Sequence, residues 1–167
     1  VVIDPDSGNP GLWECRQLGA LVMIGRADDT QQLRRACVIN AAELIVTSGS
    51  DSVNLGSAAL AKQLCANRAS SRPPLRCIVH VSDPALQEAL KRRVPFAGQR
   101  MVTLEVVNVF QTGARVMLER SGIFAALPGP GQKLRLLILG LGSFGQALFT
   151  RILRDWAILR EERAGTG

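Results

Sequence analysis

Residue types that support catalysis or metal binding are scarce in this sequence. It has no tyrosine, a single histidine (His80), and aromatic residues make up only 4% of its 167 residues. One histidine cannot support a His-rich metal site, and the four cysteines form no CxxC pair of the kind that binds zinc. The sequence also contains no Ser-His-acid set with suitable spacing and no carboxylate pair beside a base. We therefore expect a protein that is not a self-contained enzyme.

The cysteines and the length of the apolar runs bear on the compartment. Each cysteine lies in an apolar stretch, so we expect small buried residues in a reducing cytoplasm; they are Cys15, Cys37, Cys65 and Cys77. No run approaches the roughly 18 apolar residues of a membrane span, and the first residues lack the basic start of a signal peptide. We expect a cytoplasmic protein that reaches the inner face of the membrane only through a partner or the rest of a parent chain.

The charge is positive, with a formal net value of +6, and arginine far outnumbers lysine. A nucleic-acid surface would concentrate this charge on one face or element. Here the basic clusters are short and scattered, at residues 34–35, 91–93 and 151–163. We interpret them as solvated helix faces, which could meet an acidic partner or an anionic nucleotide. Nucleic acid is not an expected partner.

Aliphatic runs alternate with helical patterns along the chain, and apolar residues make up 47% of it. Strands buried on both faces of a sheet have this aliphatic composition. The predicted strands are residues 1–4, 20–25, 43–46, 75–81, 102–107 and 134–139, and the predicted helices are 11–18, 28–36, 51–67, 83–93, 109–120 and 143–160. Such alternation implies right-handed crossovers. The predicted fold class is α/β and Rossmann-like, with a mostly parallel, doubly wound sheet and flanking helices.

The strongest motif is GLGSFG at residues 140–145, between an aliphatic run and a helical pattern that would dock on a sheet. Gly140 allows a tight turn, Gly142 lets the backbone approach a pyrophosphate, and Gly145 lets helix and strand pack closely. The amides at the helix N-terminus favour phosphate. The acidic residue expected about 20 positions later is missing, because Glu161 and Glu162 follow a helix. The motif predicts a dinucleotide site, and a ligand-free turn is the alternative.

The start of the chain has the acidic residue that the later glycine motif lacks, but no glycine motif precedes it. Residues 1–4 (VVID) look like a second Rossmann strand ending in the acid that holds a ribose hydroxyl, and a surface turn is the alternative for Asp4. We predict a Rossmann-like domain at 1–126 without its first strand and glycine loop, a linker at 127–132, and the start of a second unit at 133–167. The 134–139 strand of the same or a second chain could fill the first unit, and we expect a homodimer.

An ordered set of features extends over residues 1–93. They are the acid of VVID, the LGA before the next strand, the turn GRAD, the run LRRACVINAAELIVT and the DSVN that follows it. Together they resemble the NAD-binding domain of the TrkA-N/RCK family, and the later GxGxxG resembles tandem members. Family members regulate potassium channels and transporters by nucleotide or ion binding, and they generally assemble through these domains.

The resemblance implies a set of ligand-binding residues. Asp4 would bind the adenosine ribose, and the turn near the adenine would be Gly25, Arg26, Ala27 and Asp28. The cofactor cleft would be lined by Thr47, Ser48 and Gly49, with His80 facing it. The family commonly has Asp at position 26, and Arg there could meet a phosphate, so NAD, NADP and ATP or ADP all stay open. We expect Asp51 and Asn54 to be cap and helix-packing residues, and a role as ligand-binding residues is the alternative.

Three functions are compatible with these features. The leading hypothesis is a non-catalytic, NAD-type nucleotide-binding module that controls potassium ion transport, with a membrane channel or transporter as partner. Ligand would act by favouring one domain or subunit arrangement. A fragment of an NAD(P)-dependent oxidoreductase is the alternative. An assembly domain that has lost its ligand is the third.

Overall fold

The computed structural model describes residues 1–93, 101–123 and 135–164. The chain divides into two compact units, Val1–Val107 and Asn108–Gly167. The first unit contains strands β1 Val2–Asp4, β2 Val22–Ile24, β3 Glu43–Val46, β4 Leu75–His80 and β5 Val102–Val107, and helices α1 Gly11–Gln17, α2 Thr30–Arg35, α3 Asp51–Leu64 and α4 Pro84–Arg93. Short 3-10 turns at Val38–Asn40 and Cys65–Asn67 follow α2 and α3, and the sequence analysis did not predict the first of them. The predicted α/β class is confirmed.

The strands of the first unit pair in parallel throughout. β1 pairs with β2 in the register Val2–Val22, and a second sheet has the order β3-β4-β5. In that sheet Glu43 is opposite Arg76, and Leu75 is opposite Val102. Within the described residues, β1 and β3 each have one neighbouring strand. Because parallel strands place their carboxyl ends at one edge, the loops that follow the strands of each sheet gather along that edge.

The core of the first unit lies between α3 and β4. Ala61 of α3 and Leu75 and Val79 of β4 are fully buried. Burying one such Leu or Val side chain is worth about 1.5–3 kcal/mol. The small residue at position 61 lets the helix approach the sheet closely, which fixes the start of α3 next to the ends of β3 and β4.

The cysteines only partly follow the prediction that all four are buried. Cys65 and Cys77 are buried in the core, and Cys15 is half-buried. Cys37 is exposed, so the prediction is wrong there. Its backbone has φ +56° in the left-handed region, where the chain leaves α2. A residue in a surface turn presents its side chain to solvent however apolar its neighbours in sequence are.

The second unit contains helices α5 Val109–Ser121 and α6 Ser143–Ala164, which pack against each other. The strand predicted at 134–139 is wrong for its described part: residues 135–140 have no regular structure, and Leu137 and Leu139 are 82% and 86% exposed. A strand needs hydrogen bonds from a neighbour, and no described strand pairs with this run. Within the second unit, α6, whose Ile152 is buried, packs against α5.

The linker predicted at 127–132 lies outside the described residues. In the described ranges, no helix has both the length and the apolar character needed to cross a membrane.

Candidate nucleotide site at the carboxyl ends of the strands

Asp4 ends β1, and its carboxylate organises the loop that follows. Oδ1 accepts a hydrogen bond from the Asp6 amide at 2.8 Å, and Oδ2 accepts one from the Asn9 side chain at 3.0 Å. The Asp4 carbonyl accepts from the Gly25 amide at 3.0 Å, which joins the ends of β1 and β2. A carboxylate has about four acceptor positions, so Asp4 is held in one orientation with capacity left for a further donor.

The turn after β2 contains Gly25, Arg26, Ala27 and Asp28. A Cβ at Gly25 would come within 2.7 Å of the Gln32 Cδ, so any larger residue there would require the Gln32 side chain to move. Arg26 donates from Nε and Nη2 to the two carboxylate oxygens of Asp28, at 2.9 and 2.7 Å. This hydrogen-bonded pairing raises the pKa of Arg26 and lowers the pKa of Asp28. Arg26 is largely exposed, and a phosphate that approaches it must compete with Asp28.

The same turn lies beside α3. Two acids precede α2, and Asp29 is the one that caps it: its Oδ1 accepts from the amides of Gln31 and Gln32 at 2.7 and 3.4 Å. Asp28 is then available to pair with Arg26. The Asp28 Cβ is 3.9 Å from the position that a Cβ on Gly56 would occupy. The turn after β2 therefore borders the first turns of α3.

Asn54 joins the end of β3 to the end of β4. Its Oδ1 accepts from the Ser48 amide at 2.9 Å and from the Ser48 hydroxyl at 2.6 Å. Its Nδ2 donates to the Ser48 carbonyl at 3.0 Å and to the His80 carbonyl at 2.9 Å. Asn54 is fully buried, and every donor and acceptor position of its amide is used. The Ser48 side chain thus faces Asn54, whereas Thr47 and Gly49 are exposed.

Asp51 joins the start of α3 to the loop after β4. Its Oδ1 accepts from the amide and hydroxyl of Ser82 at 2.8 and 3.0 Å, and its Oδ2 accepts from the Ser82 hydroxyl at 3.0 Å and the Asp83 amide at 3.1 Å. Burial alone would raise the pKa of this carboxyl, but the hydrogen bonds from Ser82 and Asp83, with a smaller effect of nearby His80, lower it. Asp51 is therefore a charged acceptor that holds this loop against α3.

Asp51 and Asn54, which we call the Asp51–Asn54 brace, are the part of the site that sequence reasoning missed. They were expected to be cap and helix-packing residues, but the cap of α3 is Ser50, whose Oγ accepts from the Val53 amide at 3.4 Å. The available signal was their spacing. Residues three apart in a helix lie on one face, and the first turn of α3 follows the end of a strand. That face therefore meets the loops at the carboxyl edge.

His80 was expected to face the same cleft. It is the last residue of β4 and is 6% exposed, so its imidazole presents little surface to a ligand. The part of the chain that the structure describes holds no cluster of three or more His, Cys, Asp or Glu side chains that could bind a metal ion.

The glycine loop belongs to the second unit. Gly140 has φ +94°, a conformation that side chains disfavour, and this supports its predicted role in a tight turn. A Cβ on Gly145 would collide with the Gly140 carbonyl, whereas a Cβ on Gly142 would meet nothing within 4 Å. The Gln146 side chain closes the loop by donating to the Leu141 carbonyl at 3.0 Å. Gly145 thus packs against its own loop.

Comparison with known proteins gives one result for this chain. The model of the family described as "TrkA-N domain" matches residues 1–102, which is more than half of the 167 residues. The matched stretch contains Asp4, the turn at 25–28 and the Asp51–Asn54 brace. No significant match was found among curated proteins or among solved structures.

Proposed function

Because this chain belongs to the TrkA-N domain family, we propose that it binds an NAD-type nucleotide and controls potassium ion transport through that binding. TrkA-N domains are NAD-binding regulatory domains linked to potassium transport. The observation that carries the proposal is the fixed carboxylate of Asp4 at the end of a parallel strand, because Rossmann-type sites use an acid there to bind the ribose. The nucleotide controls transport by binding one domain or subunit arrangement more tightly than another.

The charges around Asp4 favour NAD over NADP. The Asp4 carboxylate accepts hydrogen bonds from hydroxyls but repels the 2′-phosphate of NADP. Arg26 is the cation that could offset this repulsion, and its guanidinium is already paired with Asp28 at 2.7 Å. We therefore expect calorimetric titration of the chain to give a lower Kd for NAD than for NADP. The Arg26→Ala variant should leave that order unchanged, and loss of NADP binding on this substitution would show that Arg26 reads a phosphate.

The role of Asp4 is tested with a matched pair of variants. Asp4→Ala should weaken NAD binding by about 1–3 kcal/mol, the usual cost of losing a hydrogen bond to a charged group, which is roughly a five- to 150-fold rise in Kd. Asp6→Ala removes the same charge from the same loop, where the Asp6 side chain accepts from the Gly8 amide at 2.9 Å, and should bind nearly as the parent does. Equal losses in both variants would overturn the assignment of Asp4.

Three further points belong to the proposal. The glycine loop at 140–145 is a pyrophosphate site. The bound nucleotide acts as a signal and not as a hydride carrier, and the chain assembles as a homodimer. It places the module in the cytoplasm, at the inner face of the membrane, through a potassium channel or transporter as partner or through the rest of a parent chain. Light scattering at several concentrations, with and without NAD, tests the dimer. A strict monomer in every condition would contradict it, and steady conversion of bound NADH to NAD would contradict the signalling role.

A further inference from the structure

We propose that Asp51 and Asn54 are positioning residues for the second half of a bound dinucleotide, and that the Asp51–Asn54 brace makes the site prefer a dinucleotide to a mononucleotide. This inference rests on the nucleotide binding proposed above. It concerns residues that touch loops and not the ligand itself.

The two sheets divide the site in the way that a dinucleotide requires. A doubly wound fold binds a dinucleotide across two mononucleotide-binding halves, at the carboxyl ends of the strands. β1 and β2 carry the proposed ribose acid, Asp4, and therefore form the adenosine half. β3, β4 and β5 form the other half, and the loops after β3 and β4 would contact the part of the ligand beyond the adenosine.

Hydrogen bonds to side chains of α3 hold those two loops in place. Asn54 uses all four of its hydrogen bonds on Ser48 and His80, and Asp51 uses both carboxylate oxygens on Ser82 and Asp83. Most loops at a carboxyl edge are mobile, and ordering them when ligand binds costs conformational entropy. Because the brace orders these loops when the chain folds, ligand binding does not have to order them. The affinity for a ligand that reaches these loops is therefore higher.

The front of the braced loop is open. Gly49 is exposed, and a Cβ at this position would meet no atom within 4 Å. The preceding residue is turned away from this surface, because the amide, hydroxyl and carbonyl of Ser48 all bond to Asn54. A ligand group would therefore meet exposed backbone at Gly49 that is held in one conformation.

A purely structural role makes a different prediction. If the brace only stabilised the fold, its loss would reduce the folded fraction of the protein. The apparent affinity for every nucleotide would then fall by the same factor. A positioning role affects only ligands that reach the loops after β3 and β4. AMP carries the adenosine half alone, and NAD carries both halves, so the ratio of their dissociation constants separates the two roles.

The experiment is calorimetric titration of the full 167-residue chain with NAD and with AMP, at a temperature where circular dichroism shows each variant to be folded. Asp51→Ala is the main variant, because the amides it releases are exposed to water. Its control is Glu88→Ala, which removes one negative charge from the neighbouring α4 and breaks an exposed ion pair with Arg92. Asn54→Ala, with Ser57→Ala as control, is the second pair, and Asp51→Ala decides alone if Asn54→Ala does not fold.

We expect Asp51→Ala to raise the Kd for NAD about tenfold, because a change of this size corresponds to the loss of one hydrogen bond. The Kd for AMP should stay within about twofold of the parent value. The controls should change neither. Parallel losses for NAD and AMP, no loss for either, or a parent chain that binds AMP as tightly as NAD would each overturn this inference while leaving nucleotide binding intact. A parent chain that binds neither nucleotide overturns the proposed function, and this inference with it.

Discussion

Replacement of Asn54 by alanine is the substitution whose effect on stability the structure defines most closely. The change leaves the His80 carbonyl buried and removes its bond from Nδ2 at 2.9 Å. It also removes the bonds of the Ser48 amide and carbonyl, which are only partly buried and can reach water. A buried group that loses its partner costs about 1–3 kcal/mol, and a typical hydrogen bond contributes about 0.5–1.5 kcal/mol.

Together these losses give an expected decrease in the free energy of unfolding of about 2–6 kcal/mol. That is a large fraction of the 5–15 kcal/mol typical of a whole domain. Urea denaturation followed by far-ultraviolet circular dichroism measures it, and the midpoint should fall while the slope stays constant.

The control lies one turn further along α3. Ser57 is equally buried, but its hydroxyl donates at 2.7 Å only to the Val53 carbonyl, within the same helix. Ser57→Ala should cost less than about 1 kcal/mol, because alanine has the higher helix propensity. If Asn54→Ala cost no more than Ser57→Ala, the bonds to Ser48 and His80 would not be holding the two strand ends, and the reasoning would be refuted.

Three further predictions concern other parts of the chain. Since the folded state lowers the pKa of Asp51, the contribution of this carboxylate to stability is complete above its ordinary pKa of 3.8 and is lost as the pH falls below that value. The urea midpoint of Asp51→Asn should therefore fall less at acid pH than that of the parent, and identical pH profiles would refute this. Burial, with a smaller effect of Cys65, raises the pKa of Cys77 to about 12, so maleimide should label exposed Cys37 and should not label Cys77 until urea unfolds the chain. Peptide mass spectrometry identifies the labelled cysteine, and labelling of Cys77 without urea would contradict its burial. Gly142→Val fills the open space beside the glycine loop and should weaken nucleotide binding at least about tenfold by calorimetry if the loop holds a pyrophosphate, whereas unchanged affinity would show that it does not.

The sequence determined the elements of the first unit because their signals are local. An aliphatic run bounded by turn residues predicted each of its five strands, and capping residues, an Asp-Pro start or apolar spacing predicted the helices to within a few residues. The acid at the end of the first strand and the ordered features up to residue 93 also identified the family, because they depend on residue type and order alone.

Only the tertiary structure decided which local signals found a partner. The aliphatic run at 135–140 has the composition of a strand, but a strand exists only where a neighbour supplies hydrogen bonds, and this run has no regular structure. In the same way, Asp51 and Asn54 lie three residues apart on one face of α3, but only the folded chain decides what that face meets. Asn54 bonds to His80, 26 residues away, because a parallel crossover places the end of β4 beside the start of α3. A local pattern specifies which groups can bond, and the folded chain brings their partners within reach.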